Sequence, residues 1–128
     1  MSKSAFSVFV FSIYLFALGA TLVAIPNVLL QLFGLPETGE VWIRVVGVLV
    51  LVLGYYYQGA ARGELTDFLR WTVHARLAVL VFFTAFAVIG LVSPVLVLFG
   101  TVDAMGGLWT ALALRADRAA QGKARASI

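Results

Sequence analysis

The sequence predicts an all-α integral membrane protein, a four-helix bundle with a short interfacial helix after the first span, and three observations predict it. Of 128 residues, 62% are hydrophobic, and the mean hydropathy is +1.04. That is more apolar surface than a soluble domain of this length buries in one core. Charged residues make up only 12% and cluster between uncharged runs of roughly twenty residues, the length that crosses a hydrocarbon core of about 30 Å. The three prolines punctuate the chain at the edges of the expected spans: Pro26 and Pro36 after the first, and Pro94 in the first turn of the fourth. A single polytopic domain over residues 1–128, without a soluble appendage, is the expected organisation.

Composition also narrows the chemistry. The net charge of +3 could suit nucleic acid, but here the cations flank apolar spans and no water-facing element carries a basic patch, so no nucleic-acid partner is expected. There is no Cys and one His, which leaves no thiolate nucleophile and no set of three or four converging metal ligands. No metal site is expected. No Gly-rich phosphate loop, Ser/His/Asp set or inverted repeat is evident, so no catalytic residue is assigned.

The first span covers about residues 5–24. Lys3 followed by this run resembles a signal peptide, yet the run exceeds the usual hydrophobic region of such leaders and three more spans follow, so it is read as a retained helix. Pro26 lacks a backbone donor and should end that helix. Residues 26–33 then read as a short helix in the interface, with Pro26 in its first turn and Gly34 after its end, followed by an acidic turn through Glu37 and Glu40. The second span covers about 41–58, with Trp42 at one interface and Tyr55, Tyr56 and Tyr57 at the other. Residues 62–72 are polar enough to be a loop leading to helix three, whose expected N-cap is Thr66 with Asp67 at the positive end of the dipole. Span three covers about 73–91. Ser93 and Pro94 make a tight connection, and span four covers about 94–114. The basic, alanine-rich tail 115–128 either prolongs the fourth helix or frays.

Cation counting sets the orientation. Lys3, Arg62, Arg70, Arg76, Arg115, Arg118, Lys123 and Arg125 lie on one side and only Arg44 near the other, which predicts that both termini are cytoplasmic.

Asp103 stands out among the polar residues. Nine positions past Pro94, it lies roughly 13 Å into the membrane, where a carboxylate is costly unless paired, neutral or facing the bundle. It reads either as a proton or ligand site or as a clamp to Arg44 or to Thr and Tyr hydroxyls. Arg44 lies one turn inside span two, at the head of a stripe through Gly47, Leu51, Gly54 and Gln58. It reads either as a partner of Asp103 or as a cation snorkelling to the outer headgroups. Gly100, Ala104, Gly107 and Ala111 form a small-residue face on the fourth span beside Asp103 and Thr110, suited to close helix packing within the bundle or in a dimer. Tyr55, Gln58, Arg62, Arg70, Trp71, His74 and Arg76 gather at one mouth, either as aromatic belt plus flanking cations or as a cradle for an anionic headgroup or a quinone ring.

Taken together, Pro26 with Phe33 and Gly34, Arg44 with Gly47, Gly54 beside the tyrosines, Arg76 opening span three and Asp103 in span four resemble the small uncharacterised four-helix bacterial proteins loosely grouped as DoxX-like. The resemblance covers most of the chain. It implies a bundle in the bacterial inner membrane, an accessory subunit near quinone-linked redox enzymes, and it transfers no catalytic residue.

The leading expectation is a non-enzymatic bundle that binds a lipid- or quinone-like ligand or serves a membrane complex, with membrane lipids, a second copy or a larger assembly as partners. The alternatives are a proton-coupled transporter or channel using Asp103, and an intramembrane enzyme on a lipidic substrate using Asp103 with Tyr55 or His74. A bound lipid or quinone is the one cofactor class entertained.

Overall fold

The structure is a computed structural model and describes residues 1–127. Its order is α1 (Lys3–Ala24), α2 (Pro26–Leu32), α3 (Trp42–Arg62), α4 (Thr66–Val88) and α5 (Leu96–Ala126), with no strand among the described residues. Four of these, α1, α3, α4 and α5, are long and apolar enough to cross a membrane, which makes this a multi-pass helical membrane protein. Large apolar side chains stand exposed along them, among them Leu49, Leu53, Val81, Phe82, Leu108 and Leu112. In water such surface would be an aggregation liability; in lipid it is the ordinary outer face of a spanning helix.

Several helix ends differ from the sequence reading. α4 starts at Thr66, so residues 66–72, expected as loop, are helical. Their polarity shows that the segment reaches water, and that is compatible with helix: Asp67 sits in the first turn and Leu69 is buried on the inner face. The cap position belongs to Leu65, which makes no side-chain capping bond, and Thr66 is the first helical residue. α3 continues to Arg62, four residues past the expected end of its span. α5 has 31 residues, about 46 Å of helix, far more than the hydrocarbon core requires. Of the two readings of the tail, helical continuation is the one observed, to Ala126. Pro26 occupies the first turn of α2, the position where its missing donor costs nothing.

Three helices end in the same motif. After α2, Leu35 N donates to Leu30 O and Gly34 N to Gln31 O; after α4, Leu91 N donates to Phe86 O and Gly90 N to Ala87 O; after α3, Leu65 N donates to Ala60 O and Glu64 N to Ala61 O. This is the Schellman arrangement, which needs a left-handed residue just past the helix. Gly34 (φ 67°) and Gly90 (φ 82°) supply it at two of the ends, and Glu64 (φ 53°) at the third. A side chain in that conformation costs about 1–2 kcal/mol that glycine would not.

The chain forms two compact units. One comprises Val10–Gly59 and holds most of α1 and α3 with α2 between them. Its packing depends on glycine: a Cβ on Gly47 would lie 2.8 Å from Leu22 Cβ, one on Gly19 would lie 2.8 Å from Leu51 Cγ, and one on Gly54 would lie 3.3 Å from Leu15 Cβ. Tyr57 is buried here, its ring 6.0 Å from that of Phe11. Asn27 pairs with Thr38 through both backbone groups (Asn27 Nδ2 to Thr38 O, 3.1 Å; Thr38 N to Asn27 Oδ1, 2.9 Å), tying the acidic turn back to α2.

The other unit comprises Met1–Phe9 and the chain from Ala60 onward. Its core joins Ala5 and Val8 of α1, Ala60 and Ala61 of α3, Leu69 and Val73 of α4, and Ala113 and Leu114 of α5. α5 lies close to α4 at Gly100, where a Cβ would come 3.0 Å from Leu80 Cα, and at Gly107, where it would come no nearer than 3.5 Å to Arg76 Cβ or Val73 O.

These distances separate two substitutions. Gly47→Ala is expected to destabilise the protein by about 1–3 kcal/mol, because neither Leu22 nor the Val23 backbone can withdraw cheaply. Gly107→Ala meets ordinary van der Waals contact and should cost clearly less. Thermal unfolding of both variants in the same detergent checks the order.

Candidate functional site

Arg76 organises the polar interior of the unit that contains it. It lies on α4 with 2% of its surface exposed, in a helix that reads as spanning lipid. An arginine there must find its hydrogen bonds within the protein. Its Nε donates to Thr72 O (3.1 Å), and its Nη2 donates to Thr72 Oγ1 (2.9 Å) and Thr110 Oγ1 (2.8 Å). Thr72 and Arg76 are four residues apart on one helix, so the side chain folds back along its own face. Thr110 brings in α5, and its hydroxyl lies 2.7 Å from that of Ser7 on α1. Ser7 in turn donates to Ser4 O (2.7 Å). Ser7, Thr72, Arg76 and Thr110 are all buried, so one guanidinium links three helices through hydroxyls.

Asp103 is half-buried on the same face of α5, seven residues before Thr110. The cation whose field acts on it is Arg76. Gly100 and Gly107 flank it at three- and four-residue spacing, and the absence of a side chain at Gly100 lets α4 approach. Ala104 is half-buried beside them.

A second polar cluster closes the end of this unit where α1 begins. The first amides of a helix have no intrahelical partners, and here carboxylates distant in sequence accept them. Asp117 on α5 accepts from Lys3 N (3.1 Å), Ser4 N (3.1 Å) and Ser4 Oγ (2.6 Å), and Glu64 accepts from Ser2 N (2.6 Å). Negative charge at a helix N-terminus is also favoured by the macrodipole. Two hollows adjoin this cluster. A groove of about 560 Å³ runs between α1 and α5, lined by Phe6, Trp109, Leu112 and Ala113 with Met1 and Lys3 at its rim. A smaller cavity of about 140 Å³ is lined by Ser2, Ser4, Glu64, Thr66, Arg70, Asp117, Arg118 and Gln121, among others.

The remaining candidates are distributed differently. Arg44, on α3 in the unit of Val10–Gly59, donates to the carbonyl of Val23 and, at 3.4 Å, to that of Ala24. These carbonyls end α1, where Pro26 breaks the helix, so Arg44 acts as a C-terminal cap, a role that neither sequence reading contained. Tyr55 is 69% exposed, and Gln58 is half-buried near the end of α3. His74 is exposed on α4, two residues from Arg76 and therefore about 200° round the helix from it. Arg70 is not a free mouth cation, since it pairs with Asp67 at 3.1 Å.

Sequence reasoning overlooked Ser4, Ser7, Thr72, Glu64 and Asp117. Part of the signal was present: Asp103, Thr110 and Asp117 recur at seven-residue intervals, and Gly100, Gly107 and Leu114 recur alongside them, which is the pattern of one buried helix face.

Compared with models of protein families, with curated proteins and with solved structures, the chain matches none.

The Glu64 carboxyl, outside the spanning helices, is held below its ordinary value of 4.5 by hydrogen bonding to the Ser2 side chain and backbone. A carboxyl lowered on folding stabilises the native state above its unfolded-state value, and that stabilisation disappears as pH falls through the folded-state value. Acidification below about pH 4.5 should therefore lower Tm more for the native protein than for the Glu64→Gln variant, which lacks the charge at every pH. Thermal unfolding in detergent across that range measures the difference.

Proposed function

We propose that this chain is a non-enzymatic, multi-pass protein of the bacterial inner membrane, with cytoplasmic termini, that binds a lipidic ligand and serves as a small accessory bundle. The observation that carries this reading is the groove between α1 and α5. Its walls are apolar and aromatic, Phe6 meeting Trp109 edge-on with centroids 6.3 Å apart, and Lys3 stands at the rim. Apolar walls with a cation at one end fit an acyl or isoprenoid chain with a polar head. The resemblance to DoxX-like proteins points the same way, toward membranes that hold quinones.

Native mass spectrometry of gently extracted protein tests the reading. A lipid or quinone adduct is expected, with Trp109→Ala lowering its retention about fivefold, equivalent to about 1 kcal/mol. Recovery of a bare monomer, without lipid, quinone or partner, counts against it.

A second reading draws on Asp103 beside Arg76. A half-buried carboxylate in the field of a fully buried guanidinium suits proton-coupled transport, in an oligomer, because four helices rarely enclose a pathway alone. Asp103→Asn should then abolish the pH dependence of flux in proteoliposomes; unchanged flux at every pH removes this reading. The enzyme alternative lacks comparable support. His74 projects from the side of α4 opposite Arg76, and Asp103 lies toward Arg76.

A further inference from the structure

The 140 Å³ cavity has an unusual charge composition for the end of a membrane bundle. It is lined by two acids, Glu64 and Asp117, and by two bases, Arg70 and Arg118. An anion alone would meet the carboxylates, and a cation alone would meet the guanidiniums. The four residues come from three places, the α3–α4 turn, α4 and α5, so both signs are displayed around one space.

Their hydrogen-bonding capacity is unequally committed. Asp117 already accepts from three donors on α1. Glu64 accepts from Ser2, and a carboxylate, with about four lone-pair sites, has room for further donors. On the basic side, Arg70 gives only Nη1 to Asp67, and its guanidinium carries further N–H donors. Thr66 and Gln121 add a hydroxyl and an amide to the wall. Glu64 also holds its left-handed conformation where the equivalent ends of α2 and α4 use glycine, so a carboxylate is kept at this wall despite the strain.

From this arrangement we infer that the cavity binds the phosphoethanolamine headgroup of a zwitterionic lipid, phosphate toward Arg70 and Arg118 and ammonium toward Glu64. The inference rests on the lipid-binding reading and deepens it, because Ser2 lines both this cavity and the apolar groove and one lipid can place its head in the first and a chain in the second. Guanidiniums match phosphate oxygens with paired donors. A primary ammonium offers three N–H donors to a carboxylate. The trimethylammonium of a choline head has none, and a glycerol head has no cation, so the site should discriminate by hydrogen bonding as well as by charge.

The full-length protein reconstituted in nanodiscs of phosphatidylethanolamine, phosphatidylcholine and phosphatidylglycerol in equal parts, then released gently into native mass spectrometry, provides the test. Phosphatidylethanolamine should be retained about tenfold over each of the others. Arg70→Gln and Glu64→Gln should each reduce that selectivity severalfold, whereas Trp109→Ala should lower retention of all three lipids alike. Both charge variants change exposed or half-exposed side chains, and their folding is checked by thermal unfolding in parallel. Equal retention of the three lipids overturns the headgroup inference and leaves the groove reading intact; a bare protein overturns both. Preference for phosphatidylglycerol shows a plain anion site, and displacement of bound lipid by free phosphoethanolamine at stoichiometric concentration shows a soluble-ligand site. Either of these last results also overturns the inference.

Discussion

A guanidinium cannot be left unsolvated in a lipid-embedded protein, and the unit that holds Arg76 is arranged around that constraint. Thr72 provides a carbonyl and a hydroxyl from the same helix, and Thr110 provides a second hydroxyl from α5. Ser7 extends the contact to α1. Lipid supplies no hydrophobic force to drive apolar helices together, so packing and hydrogen bonds must hold them. Here the two cooperate: Gly100 lets α5 pack closely against α4 at Leu80, and Thr110, farther along the same face of α5, comes within hydrogen-bond reach of Arg76. Asp103 lies in the field of the same guanidinium, seven residues before Thr110 on α5.

The same accounting of polar groups explains the helix ends. At its N-terminus α1 relies on Asp117 and Glu64, and at its C-terminus, where Pro26 prevents continuation, on Arg44. Its caps therefore have the charges that the macrodipole favours, acids at the start and a base at the finish. The ends of α2, α3 and α4 are closed by their own backbone. Charges that look in sequence like loop decoration or membrane-flanking cations thus terminate a particular helix. Arg44 is the clearest case, since both roles considered for it concerned other targets.

The membrane layout was legible because the bilayer imposes a length and charges mark its edges. Four apolar runs, the break at Pro26 and the stop at Gly34 could all be read from residue order. Facing was less legible. Arg76 and His74 read alike as mouth residues, yet two residues of helical rotation leave one buried and the other exposed. The hydroxyls of Ser7 and Thr72 carried little signal alone, because Ser and Thr are common in spanning helices and become informative only when a charge lies beside them. Asp117 looked like part of a solvated tail, and nothing local to it points to a helix that begins more than a hundred residues earlier. Glu64 was hidden for a different reason: a glutamate in a turn gives no indication that its backbone is left-handed.

The bond between Ser4 and Asp117 spans 113 positions, which has a consequence for biosynthesis. At a translation rate of about 5–20 residues per second, roughly 6 to 23 s separate synthesis of the first helix from synthesis of the residue that caps it. Glu64 becomes available about halfway through that interval. The nascent α1 therefore waits at the membrane with part of its amino-terminal turn unprotected, and the fifth helix, on arrival, both completes the bundle and completes the first helix. The exposed start of the first helix thus lasts only until the fifth helix is made.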